Sequence, residues 1–384
     1  VNVKLSKSTT LYFLVLFAPV ALVLEVTHSD PILTFVFATI ALIPFAKLIG
    51  DSTEHLATHY GTSTASLLNV TFGNAAEIII AIVALSAGLV TLVKASIIGS
   101  IIGNLLLIFG LSLFVGGLRQ KEQFFNKENT GYQGSMLFLA IIGLAIPTLL
   151  AINLLRPTTE GSLAEVQRNI QLVSDVLASV LLGVYIASII FTFVTHKHLF
   201  AIPSMEMERE KRQKTTSGDN KIYKEIDRPD FSWSKKKCIL LLGASVMGVV
   251  LVSEVLVSSV EVAIKEFGVS EIFVGAIIVG VIGNAAEHSS AIMFARKGKL
   301  DLSIGIAAGS GTQIAIFVVP ILVIAGILLN KPFSLVFTVY ELAVVFLSAI
   351  ILNLIAHDGK SNWFEGIMLT AVYVMIAVGF FFIK

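Results

Sequence analysis

Two glutamates stand in one five-residue frame, GNAAE, at Gly73 to Glu77 and again at Gly283 to Glu287, and both frames are embedded in apolar sequence. A carboxylate in hydrocarbon is costly, and an intramembrane acid marks an ion site or a proton relay. Two such carboxylates brought together cannot both stay ionised without compensation. Protons or one divalent cation relieve the cost, so a single pair binds either species in turn. Asn74 and Asn284 stand three positions before the glutamates and place an amide on the adjoining helical turn. Donors that are all oxygen suit a hard cation such as Ca²⁺.

Other polar residues recur with the same logic. The stretch SIIGSIIGNLLLIFG carries Asn104 and SIGIAAGSGTQIAIFVVP carries Gln313, each the one amide in a run rich in Gly and Ser. Lys47, Asp51, Glu54 and Thr58 fall on one helical face, as do Glu254, Ser258 and Glu261. These faces make Glu54 and Glu254 candidates for an ion pathway. His288 follows the second glutamate directly and is a candidate for tuning protonation or metal choice. His55 and His59 fall near a helix end. Asp175, Glu261 and Glu341 are single acids with no partner visible in the sequence, Glu341 lying inside an apolar run. The glycines opening each motif, Gly73 and Gly283, permit a break that exposes backbone carbonyls.

The elements that must position these residues are membrane helices. Apolar residues make up 55% of the 384 residues and charged ones only 14%, against about 25% in a soluble globule, and mean hydropathy is +0.88. Helix-length apolar runs dominate, which predicts an all-α polytopic membrane protein of about 11 spans: 8–25, 32–57, 64–88, 94–115, 134–155, 170–195, 237–262, 270–295, 300–327, 334–356 and 363–383. The first run, from Leu11 to Leu24, has the length of a signal-peptide core, but Pro19, Glu25 and the absence of a small-residue cleavage pattern favour a retained helix. Cys238 is the only cysteine, so no intrachain disulfide forms. With the N-terminus inside, the cytoplasmic segments hold 20 Lys and Arg against six on the opposite side, which predicts an N-in, C-out topology. A polar stretch of mixed charge, 196–236, reads as a cytoplasmic linker with a helix around 205–214.

The first GNAAE lies in the third span and the second in the eighth. An odd number of crossings separates them, so the copies run through the membrane in opposite directions. The organisation is an extra N-terminal helix (1–31), a five-helix repeat (32–195), the linker and an inverted five-helix repeat (237–384). Inverted repeats place a transport site near mid-depth where the halves meet.

On GNAAEIIIA, GNAAEHSSAI and the flanking SIIGSIIGNLLL and GSGTQIAIFVVP, the chain resembles the cation/proton exchanger family of the calcium/cation antiporter superfamily, over essentially its whole length. The resemblance implies a secondary antiporter, not an enzyme, that exchanges Ca²⁺ and other divalent cations for protons by alternating access. It implies that Glu77 and Glu287 hold Ca²⁺ or protons, that Asn74, Asn284, Gln313 and Asn104 complete the cation site, and that Glu54 and Glu254 line its approaches. No cofactor is expected; Ca²⁺ is cargo. The expected partners are Ca²⁺, H⁺, the bilayer and a second copy of the chain, with no nucleic acid, in a prokaryotic cell membrane or a vacuolar one. Where the family carries an acidic helix in its central loop, this loop is net basic, with only Glu206, Glu208 and Glu210 close together. A sodium-driven calcium exchanger of the same superfamily is the alternative. An intramembrane enzyme is a remote one, since no HExxH, GxSxG or phosphate-cradling loop occurs.

Overall fold

A computed structural model of the protein describes residues 11–60, 68, 71–154, 162–196 and 233–383. The helices are α1 (Phe13–Val26), α2 (Pro31–Ala57), α3 (Ala75–Ser86), α4 (Val90–Gly117), α5 (Lys127–Leu154), α6 (Leu163–Thr195), α7 (Lys235–Phe267), α8 (Glu271–Gly283), α9 (Ala285–Arg296), α10 (Leu300–Leu328), α11 (Val339–Ala356) and α12 (Trp363–Phe382). Among the described residues seven of them are long and apolar enough to cross a membrane, and α8 and α9 are apolar together and meet at a bend of 60°. The helix expected around 205–214, the greater part of the linker, and residues 64–67, 69 and 70 of the third span lie outside the described residues.

Local chemistry sets the helix ends. Asp30 caps α2, its carboxylate accepting from the N–H of Ile32 at 2.8 Å with Pro31 at the first helical position. Ser162 and Ser234 cap α6 and α7, and Gly268, at φ 64°, closes α7 in the left-handed conformation that glycine tolerates. Helices α5 and α6 begin seven residues before the apolar runs at 134 and 170, because their first turns are polar and capped. At 334–338 the expected helix is absent and the backbone is irregular. There the Leu335 and Phe337 N–H groups donate to the Ser174 and Thr148 hydroxyls, at 3.0 and 2.9 Å. Irregular backbone survives at such depth where protein satisfies it.

Cross-links define two ends. At one, called here the linker end, Tyr12, the N-cap residue of α1, donates to Asp51 on α2. His59 meets the Trp233 carbonyl at 2.8 Å, and the short strands β1 (Gln123–Phe124) and β2 (Lys360–Ser361) pair antiparallel. At the far end the Leu92 N–H donates to Glu271 at 2.9 Å and the Lys94 ammonium donates to the Val336 carbonyl at 2.6 Å. α2 lies along α7, and α4 crosses α8 through Gly99, Ala276 and Gly280 with backbones in contact.

Helices α3 and α9 start at the two GNAAE motifs and end at opposite faces, α3 at the far end and α9 at the linker end. Cysteines at the exposed positions Ser86 and Lys297, in a Cys238→Ser parent, are therefore expected to react with impermeant reagent added from opposite sides. Labelling of both from one side would remove the inverted arrangement.

Candidate functional site

Each GNAAE motif breaks its helix at the asparagine. Asn74 (φ −94°, ψ 14°) and Asn284 (φ −93°, ψ 6°) leave the helical region, and a new helix starts at the following alanine. The break falls one residue after the glycine expected to supply it. The glycines serve a different purpose, which is room. A Cβ on Gly73 would lie 3.3 Å from Glu287 Oε1, and one on Gly283 would lie 3.4 Å from Glu77 Oε1. The two glutamates thus cross, each lying against the glycine that opens the other motif. With both acids in the first turn of their helices, two positive helix ends face the same place.

The amides tie the halves together. Asn74 Nδ2 donates to Gln313 Oε1 at 2.9 Å, and Asn104 Nδ2 donates to Asn284 Oδ1 at 3.2 Å. Asn284 Nδ2 in turn donates to Ser100 Oγ at 3.0 Å and to the Gly280 carbonyl at 2.9 Å. Asn104 lies in a π-helical turn, Gly103–Ile108, and Gln313 directly precedes another, Ile314–Val318. Such wide turns often mark functional sites.

At this crossing of helices four buried carboxylate and amide oxygens have no hydrogen-bond partner: Glu77 Oε2, Glu287 Oε2, Asn74 Oδ1 and Asn104 Oδ1. A buried acceptor without a donor costs about 1–3 kcal/mol, more when charged. Four of them in one crossing of helices suit a positive charge. Among the described residues no group of three or more His, Cys, Asp or Glu is placed to hold a metal. A cation here would therefore rest on two carboxylates and neutral oxygens. A cavity of about 20 Å³ beside Glu77, lined also by Ser96, Ser100 and Gly283, has room for one water or a bare ion.

Of the pathway candidates, Glu254 is exposed and lines a far-end pocket of about 390 Å³ between α7 and the end of α3, with Ser86, Ser258 and Glu261. Glu54 is exposed at the linker end. His288 is buried and its Nε2 has no partner. His55 stacks on Trp233 at 4.5 Å. Glu341 is spent locally in a capping box with Thr338, and Asp175 accepts from Gln171 at 2.7 Å. The solitary Glu261 thus shares its pocket with Glu254, whereas Glu341 is structural.

Two hydroxyls escape a reading based on acids and amides. Ser100 bridges Asn284 and the Gly280 carbonyl, and the buried Ser310 faces Glu287. The signal was present: Gly99-Ser100 and Gly309-Ser310 repeat at the same spacing, 210 residues, as the two GNAAE frames.

Fold and site together define a membrane protein of inverted repeats meeting at paired acids. The sequence matches the sodium/calcium exchanger protein family over residues 31–194 and 237–382, and the chain belongs to that family. It is 40% identical to a Ca²⁺/H⁺ antiporter of Aphanothece halophytica over 98% of both chains. It is 35% identical to the Ca²⁺/H⁺ antiporter ChaA of Bacillus subtilis, over 94% of this chain and 96% of that one. Among solved structures it resembles native YfkE, at 34% identity with a TM-score of 0.78, covering 97% of this chain and 100% of that one. An H⁺/Ca²⁺ exchanger CAX, at 15% identity and a TM-score of 0.64 over 98% of this chain and 93% of that one, shares the fold.

Proposed function

We propose that the protein exchanges Ca²⁺ for protons across a membrane at the crossed pair Glu77 and Glu287. The observation that carries this reading is the set of four unpartnered buried oxygens from Glu77, Glu287, Asn74 and Asn104. With a divalent cation bound, both carboxylates are ionised and neutralised by it. With the cation gone, protons must take its place, because two bare carboxylates in an apolar crossing repel. The same oxygens cannot hold both, so alternating exposure of the site couples the two fluxes.

The names of the relatives support this choice of ions, and the Lys and Arg bias supports a cytoplasmic linker end. Asn74 and Asn104 offer free oxygens to the cation. Gln313 and Asn284, whose oxygens accept from amides, orient them. Glu254 lines the far-end approach and Glu54 the approach at the linker end. The setting is a cell membrane in which the proton gradient drives Ca²⁺ outward.

The test is uptake of radioactive calcium by everted vesicles under an imposed pH gradient, with and without sodium. Uptake that follows the pH gradient and ignores sodium is expected. Uptake that requires a sodium gradient would replace the proton with sodium as the counter-ion.

His288 is the polar difference beside the glutamates, since Ile78 occupies the matching position. His288→Ala is expected to shift the Ca²⁺ to Mn²⁺ preference or the pH profile of uptake by more than it lowers expression. Unaltered ion competition and pH profiles would make His288 a packing residue.

A further inference from the structure

The two approaches to the glutamates differ in a way the repeat makes plain. Asp51 and Glu261 stand at the same distance, 22 residues, before Gly73 and Gly283, and their helices α2 and α7 end at matching positions, Ala57 and Phe267. Glu261 opens onto the far-end pocket of about 390 Å³ beside Glu254 and has no ion pair among the described residues. Asp51 is fully engaged. The Lys47 ammonium reaches both of its oxygens, at 2.9 and 3.1 Å, and the Tyr12 hydroxyl donates to the same carboxylate. Lys47 also lies over the Tyr12 ring, 5.7 Å from its centroid. In the second repeat the position of Lys47 is taken by Val257. One acid of the matched pair carries a built-in cation and the other does not.

A part-exposed ion pair one helical turn long contributes little to stability, so the fold alone gives weak reason to recruit α1 to it. The geometry points to a tethered stand-in for the cargo. We propose that Lys47 occupies Asp51 when no divalent cation is at the linker-end approach, with Tyr12 of the extra helix holding the pair closed. An arriving Ca²⁺ carries twice the charge of the ammonium and displaces it from Asp51, opening the linker-end route to the glutamates. The far-end approach, which has no such ammonium, presents its acids directly. The extra helix α1 lies outside both repeats, and its Tyr12 gives it a function in this scheme. Lys47 and Tyr12 are thus positioning residues that set how readily the linker end accepts cargo. The inference rests on the exchange reading above.

The experiment compares full-length variants in everted vesicles, where the linker end faces the medium under the topology proposed here, and separates KM for Ca²⁺ from the maximal rate. Lys47→Met is expected to lower KM about threefold, the scale of a part-exposed ion pair, without raising the maximal rate. Lys47→Arg, which keeps the charge, restores the higher KM, and Tyr12→Phe lowers KM by a smaller factor. A gain in apparent affinity is an outcome that damage to a merely structural pair does not produce. An unchanged or raised KM in Lys47→Met overturns the inference. If that variant fails to reach the membrane, Tyr12→Phe decides, and an unchanged KM there overturns it equally. Absence of pH-driven uptake by the unsubstituted protein is a separate result that removes the exchange reading and this inference with it.

Discussion

Glu77→Gln and Glu287→Gln each abolish Ca²⁺/H⁺ exchange in proteoliposomes while the protein still folds and elutes as the parent does. The amide keeps the shape of the side chain and removes its charge, so the crossed contacts with Gly73 and Gly283 survive. What disappears is a site for a proton and half of the charge that neutralises a divalent cation. Changes outside the first ring of ligands typically cost about 10–100-fold in metal affinity, and loss of one of only two carboxylates is expected to exceed that range. Near-normal transport by either purified variant would remove the site assignment.

Gly99→Ala has the largest expected effect on stability. A Cβ at this position would lie 1.9 Å from the Ala276 carbonyl oxygen and 2.4 Å from its carbonyl carbon. These are backbone atoms of α8 and cannot rotate away, unlike the end of a flexible side chain. Overpacking a tight interior costs about 1–3 kcal/mol, and a backbone clash belongs at or above the top of that range. Helices α4 and α8 must separate, carrying Ser100 and Asn104 away from Asn284. Thermal unfolding of the purified protein in detergent is expected to fall by roughly 5 °C or more. Gly183→Ala, where nothing lies within 4 Å, is the matched control and should be neutral or slightly stabilising, since alanine favours helix over glycine. Equal behaviour of the two variants would contradict the close crossing.

The large outline was legible in the sequence because one fact carried it: a costly side chain repeated in one frame. GNAAE at 73 and 283 gave the paired acids, the asparagines a turn away and the opposed direction of the two copies. The crossing of the glutamates was not legible. It depends on which residue of each motif faces the partner helix, and in sequence Gly73 suggests a break, whereas in the fold it leaves space for Glu287. The stretch at 334–338 misled for a physical reason. Its residues are largely apolar, but Pro332 stands before it and hydroxyls from α6 and α5 accept from the Leu335 and Phe337 N–H groups, so it does without helical hydrogen bonds. Glu341 attracted notice as an acid in an apolar run, and its carboxylate caps its own helix. Ser100 and Ser310 do not stand out in the sequence, because a hydroxyl in a membrane helix commonly bonds its own backbone, as Ser245 and Ser348 do here. Asp51 and Lys47 shared a predicted face, yet the hydroxyl that completes their cluster comes from α1, and no spacing along α2 could announce it.

Shared use of one pair of carboxylates by a divalent cation and by protons couples the two binding events. It is tested most directly by counting the protons released when Ca²⁺ binds the purified protein, using calorimetric titrations in buffers of different ionisation enthalpy. Proton release on binding is expected, rising in number as the pH is lowered, with loss of both binding and release in the Glu77→Gln, Glu287→Gln double variant. Tight Ca²⁺ binding with no proton release at any pH, or release that persists in the double variant, would contradict it.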